Sequence, residues 1–205
     1  MKRKKLVYLA AGVLVLSLWT GGRLYEPSKV QSVAGIGIDP AGRGEYLFSL
    51  ELAQTDKESA FTVKSEVLQL RAGSLEEALA QASLQNEYPV VLTHGSLVVL
   101  HPKLLGGEME NIAAFLLGDW KGQSRAYLAV ADGCDAADIL RSGQGENLRA
   151  GNLSEQVRRV GGVMPLQQFC SRYLSGETLS LTLVATKEEG YRISGSVNVR
   201  KAGRA

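Results

Sequence analysis

The chain has 205 residues, long enough to bury a core of its own in one domain. Its hydrophobic share of 45% and charged share of 21% exclude a collagen, a coiled coil, a disulfide-rich miniprotein and a wholly disordered tail. The net charge of +2 hides an asymmetry: taking Lys2, Arg3, Lys4 and Lys5 from the 23 cations leaves 19 against 21 acids, so the body is mildly acidic and no nucleic-acid partner is expected.

Residues 6–22 follow that basic cluster without a charge, and Ser17 is their one clearly polar residue before Thr20. The length sits where the range for a spanning helix, about 17–25 residues, meets that for a signal segment. The cations in front place the N-terminus inside and the body outside the cytoplasm. Thr20 and Gly22 meet the small-x-small cleavage rule only weakly, and no cysteine stands there to carry a lipid. An uncleaved anchor over 1–22 is expected, followed by a stem over 23–32, a folded domain over 33–199 and a tail over 200–205.

The body reads as α+β: a mixed or antiparallel sheet with helices packed on it. Val33 to Ile38 is a short strand ended by Asp39-Pro40. Tyr46, Phe48, Leu50 and Leu52 alternate with Glu45, Leu47, Ser49 and Glu51, a strand with one apolar face. The glycine-rich segment between them predicts a hairpin. Phe61 to Leu70 predicts a third strand. Ser74 and Glu77 form a capping box for a helix running to about Asn86. Val90–Leu92 and Leu97–Leu100 make a β-rich run. A helix over about 107–118, a strand over 125–131 and one or two helical turns over 135–141 follow. Residues 142–152, rich in Gly, Ser, Asn and Gln, read as a loop before a helix from Leu153 to Val160. Pro165 suits the first turn of a helix to about Leu174. Segments 178–186 and 191–199 read as a final hairpin.

The search for chemistry yields no site. Gly35 and Gly37 with Gly42 and Gly44 lack the spacing of a dinucleotide loop, and a strand follows where a helix is required. His94 and His101 are seven apart, on opposite faces of a continuous strand, and a metal would have to recruit ligands from remote segments. Cys134 and Cys170 either form one disulfide outside the cytoplasm or are small buried residues. Neither has a local base. Glu76, Glu77, Glu108 and Glu110 fall at predicted helix starts, where they complement the macrodipole. No catalytic, cofactor-binding or metal-ligating residue, and no cofactor, is expected.

Read in order, the elements resemble a known family. Val33-Ala34-Gly35-Ile36-Gly37-Ile38-Asp39 precedes the strand Tyr46–Leu52. Gly73-Ser74-Leu75-Glu76-Glu77-Ala78-Leu79 opens a helix, and His94 precedes Leu97-Val98-Val99-Leu100. Phe115-Leu116-Leu117-Gly118-Asp119 and Tyr127-Leu128-Ala129-Val130-Ala131 follow. This order is similar to the N-terminal domain of the C-subunit family of bacterial spore germinant receptors. The likeness covers residues 30–140 well and is looser over 150–199. Two departures stand out. Members of that family are normally lipoproteins, and Gly22 falls about where the lipid-bearing cysteine belongs. They also continue into further domains, so this chain reads as a short form.

The resemblance implies a membrane-anchored extracytoplasmic component of a germinant receptor or related sporulation complex. It would dock on integral membrane receptor subunits, hold the membrane through residues 6–22 and not bind the germinant directly. The competing expectation is an extracytoplasmic hydrolase or small-solute-binding protein on an α+β scaffold. An enzyme should show a cleft with paired titratable groups; a docking module should show exposed anchors, with Tyr88, Phe115, Trp120 and Tyr127 as candidates.

Overall fold

The alternation Tyr46, Phe48, Leu50, Leu52 becomes β2 (Glu45–Thr55), and its partner β1 (Gln31–Gly42) runs antiparallel beside it. The computed structural model describes residues 30–42, 44–55, 63–93, 95–119, 126–142, 149–160, 163–188 and 190–201. The expected anchor over 1–22, most of the stem, His94 and Trp120 lie outside the described residues. β1 does not stop at Asp39-Pro40 but runs on to Gly42. Gly42 and Gly44 take the left-handed turn conformation, φ 80° and 76°, which glycine adopts without a Cβ penalty.

The other elements follow in chain order: β3 (Val63–Ala72), α1 (Leu75–Gln85), β4 (Val90–Val91), β5 (Leu97–Leu100), a 3-10 turn (Pro102–Leu105), α2 (Met109–Asp119), β6 (Tyr127–Ala131), α3 (Ala136–Arg141), α4 (Arg149–Arg159), α5 (Leu166–Leu174), β7 (Thr178–Lys187) and β8 (Gly190–Arg200). The eight strands among the described residues form one mixed sheet in the order β3-β2-β1-β5-β6-β7-β8, with β4 also against β1. β1, β5, β6 and β7 are parallel neighbours; β2, β3 and β8 join antiparallel at the flanks. The α+β expectation of a mixed sheet carrying helices holds.

Period two sorts the strands onto two faces. Ile36, Ile38, Phe48, Leu50, Val98, Leu100, Leu128 and Val130 point to one side and are buried with the apolar faces of α1, α2 and α5. Leu97, Val99, Ala129 and Ala131 point to the other, under α3 and α4. Here the expected loop over 142–152 is corrected. Its last residues belong to α4, which begins at Arg149, because a buried side chain from β2 holds that helix start. The capping box of α1 is also shifted: Ser74 Oγ accepts the Glu77 N–H, but Glu77 reaches back to the Gly73 N–H, not to that of Ser74. Pro165 stands one residue before α5, as its N-cap.

Candidate functional site

The second face of β1 and β2 is lined by Gly35, Gly37, Asp39, Ser49 and Glu51. Asp39 and Glu51 are buried carboxylates on neighbouring strands. Each holds a helix. Asp39 Oδ1 accepts the Ala136 N–H at 2.8 Å and Oδ2 the Ala137 N–H at 3.1 Å, at the start of α3. Glu51 Oε1 accepts the Arg149 N–H at 2.5 Å and Oε2 the Ala150 N–H at 2.7 Å, at the start of α4. Helix starts leave backbone donors without intrahelical partners and favour negative charge, so the two acids supply what the helices lack.

The glycines of the same motif let these helices approach. A Cβ at Gly35 would collide with that of Ala150, and one at Gly37 would lie 3.2 Å from the Ala136 backbone. The segment that resembles part of a dinucleotide loop is therefore a packing surface for α3 and α4.

Burial pushes both carboxyls above their ordinary values. For Asp39 the Ala136 and Ala137 N–H groups oppose that rise. For Glu51 the Ala150 and Arg149 N–H groups, the Ser65 hydroxyl and the Arg149 charge do so. These are the shifted acids a search for general acid–base chemistry would single out. Their oxygens are already occupied by main-chain donors.

His101 follows β5 and meets Asp39 and Asp135, with ligating atoms of all three within 4.8 Å of one another. The strand order thus recruits the remote partners that a metal would need. The hydrogen bonds argue against that use. His101 Nδ1 accepts the Lys103 N–H at 3.1 Å, which puts the imidazole hydrogen on Nε2, 3.4 Å from Asp135 Oδ1. A metal would require a lone pair on Nε2, which carries the hydrogen in this arrangement. Of the two histidines in the sequence, His101 lies among the described residues, and it caps the 3-10 turn.

The cysteines are both free. Cys170 is buried and its thiol pushed up to about 12, and burial also raises the Cys134 thiol, against hydrogen bonding from Thr186. A nucleophilic thiol needs the opposite shift. Glu108 accepts the Tyr46 hydroxyl at 2.7 Å, and Glu110 pairs with Lys201 at 2.8 Å. Glu77 holds the Gly73 N–H. Sequence reasoning missed the roles of Asp39 and Glu51. The one available signal was a pair of acids inside otherwise apolar or glycine-rich strands.

Comparison with known proteins bears on what this arrangement serves. No curated protein matches the chain. Residues 25–186 match the family described as the spore germination protein N-terminal domain. The chain belongs to that family. The crystal structure of the GerBC protein is similar at 15% identity with a TM-score of 0.39, covering 80% of this chain and 47% of that one. The chain therefore spans about half the length of that protein. The resemblance read from the order of elements is borne out by the family match.

Within this germination domain, the aromatic candidates divide. Phe115 is half-buried against Tyr46 and Phe48, with ring centroids 5.9 and 6.1 Å apart, and belongs to the core. Tyr127 packs on the second cluster. Tyr88, beyond the end of α1, is half-exposed, and Leu84 of α1 is 88% exposed.

Proposed function

We propose that this member of the spore germination protein N-terminal domain family is a non-catalytic interaction module of the germination machinery. Residues 6–22 tether it to the cell or spore inner membrane with its body outside the cytoplasm, and it docks on integral membrane subunits of a germinant receptor. The germinant itself binds elsewhere. The observation that carries this reading is the family match over residues 25–186.

The geometry adds support. The buried acids hold helix starts, His101 caps a turn, and the thiols are shifted away from reactivity. Among the described residues no helix is long and apolar enough to cross a membrane.

Co-purification from forespore membranes after mild crosslinking tests the reading. Recovery of a polytopic germination subunit is expected, and a deletion strain should germinate poorly. Recovery of none, together with unchanged germination, rejects it.

A further inference from the structure

The sheet ends in two edges of different chemistry. Along β3 stand Glu66 and Arg71, and Arg71 pairs with Glu45 at 2.8 Å. Charge of this kind blunts an edge against strand pairing. β8 is different. Ser194 forms a bulge between Ile193 and Gly195; beyond it the register is regular to Arg200. Gly195-Ser196-Val197-Asn198-Val199 carries no charge and no proline.

This strand is held in place at both ends. Tyr191 packs on the cluster beneath α3 and α4, Val199 is buried in the main core, and Lys201 pairs with Glu110. Its outer side has no strand against it among the described residues. An ordered row of backbone donors and acceptors therefore faces outward. β8 also lies beyond residue 186, where the family match ends.

We infer that the free edge of β8 accepts an extended segment of a partner protein along Gly195–Arg200, uncharged beside Ser196 and Asn198 and acidic where it meets Arg200. Only an extended backbone matches the alternating groups of a strand edge. The acidic end follows from Arg200, which is exposed and has no ion pair among the described residues. A second copy fits less well, because β8 contains Arg192 and Arg200 and no acid to offer in return. This inference deepens the docking reading and rests on it.

The test uses the full chain in detergent and a blocked synthetic peptide, Asp-Thr-Val-Thr-Val-Thr, with a lysine-for-aspartate version as control. No germination subunit is involved, so a negative result here leaves the crosslinking experiment to decide the docking reading itself. The acidic peptide should slow amide exchange over residues 195–200. Arg200→Glu should weaken its binding about fivefold, as expected for an exposed ion pair. Ser196→Lys and Asn198→Lys, which leave buried Val199 intact, should close the edge. Equal binding of the lysine peptide, protection on β3, no protection on β8, or protection of β8 that rises with protein concentration alone would each overturn the assignment.

Discussion

Gly35 and Glu51 face each other across the β1–β2 ladder, and both serve the same residue, Ala150. Glu51 accepts its N–H at 2.7 Å, and Gly35 leaves room for its methyl group. One cross-strand pair thus fixes both the start of α4 and its distance from the sheet. Asp39 and Gly37 do the same for α3 through Ala136.

Gly35→Ala should cost about 1–3 kcal/mol, the usual range for overpacking a filled site. The clash is with one methyl, so Ala150→Gly should rescue part of the loss in the double variant. Urea unfolding of the four proteins gives the coupling. Strictly additive losses would show that Ala150 is not what Gly35 accommodates.

Glu51→Leu should lose at least about 2 kcal/mol, since it strands two backbone donors in a buried place. Glu51→Gln keeps one acceptor and should lose less. The pH dependence has a definite sign. Burial raises the Glu51 carboxyl above 4.5 and that of Asp39 above 3.8, so the native state holds these protons more tightly than the unfolded chain. Their contribution is greatest at acid pH and falls as pH rises from the ordinary carboxylate range through the raised values. Glu51→Gln should flatten that fall in denaturant midpoints taken from about pH 4 upward, where carboxyls of the unfolded chain ionise. A wild-type advantage that grows with pH across this window would contradict the assigned shift.

The apolar half of this architecture was legible in the sequence. Tyr46 to Leu52 has one clean period, Ser74 marks a helix start, and the closing segments carry a hairpin turn. The polar half was not. Glu51 occupies a position that alternation assigns to the solvent side, and only the fold shows α4 lying on it. The start of α4 was hidden for the same reason: Arg149 to Asn152 have loop-like composition, and the acceptor that fixes them is remote in sequence, on β2. Likewise His101 meets Asp39 and Asp135 because parallel pairing brings three strand ends together, which spacing along the chain does not encode.

His101 should behave as a cap. Removing its ring leaves the Lys103 N–H without that acceptor and the turn after β5 looser. His101→Ala should cost about 1 kcal/mol, and His101→Asn, whose side chain also caps well, should recover most of it. Thermal unfolding of the two variants decides between this and a requirement for the imidazole: equal losses would favour the ring itself.

The thiols should stay unreactive in the native protein. Cys170 is buried with a thiol pushed up to about 12, and the Cys134 thiol is also raised. Thiolate is the reactive species, so alkylation at pH 8 should be slow at Cys134 and absent at Cys170 until denaturant is added. Fast labelling of Cys134 in the folded chain would reopen a nucleophilic role.

The anchor can be tested apart from everything above. Residues 6–22 carry no charge and follow four cations, the pattern expected of a membrane span with its N-terminus inside. The described strands and helices begin only at Gln31, and the folded unit they form starts there as well. Deleting residues 2–22 should therefore release the body into the soluble fraction without lowering its unfolding temperature. The intact chain should sediment with membranes and resist extraction at high salt, because an apolar span, unlike a charged surface contact, is not screened. Its Gly22 should leave it unlabelled by palmitate. Recovery of the intact chain in the cytosolic fraction would remove the tether from the proposal, and palmitate uptake would show that a lipid is attached elsewhere.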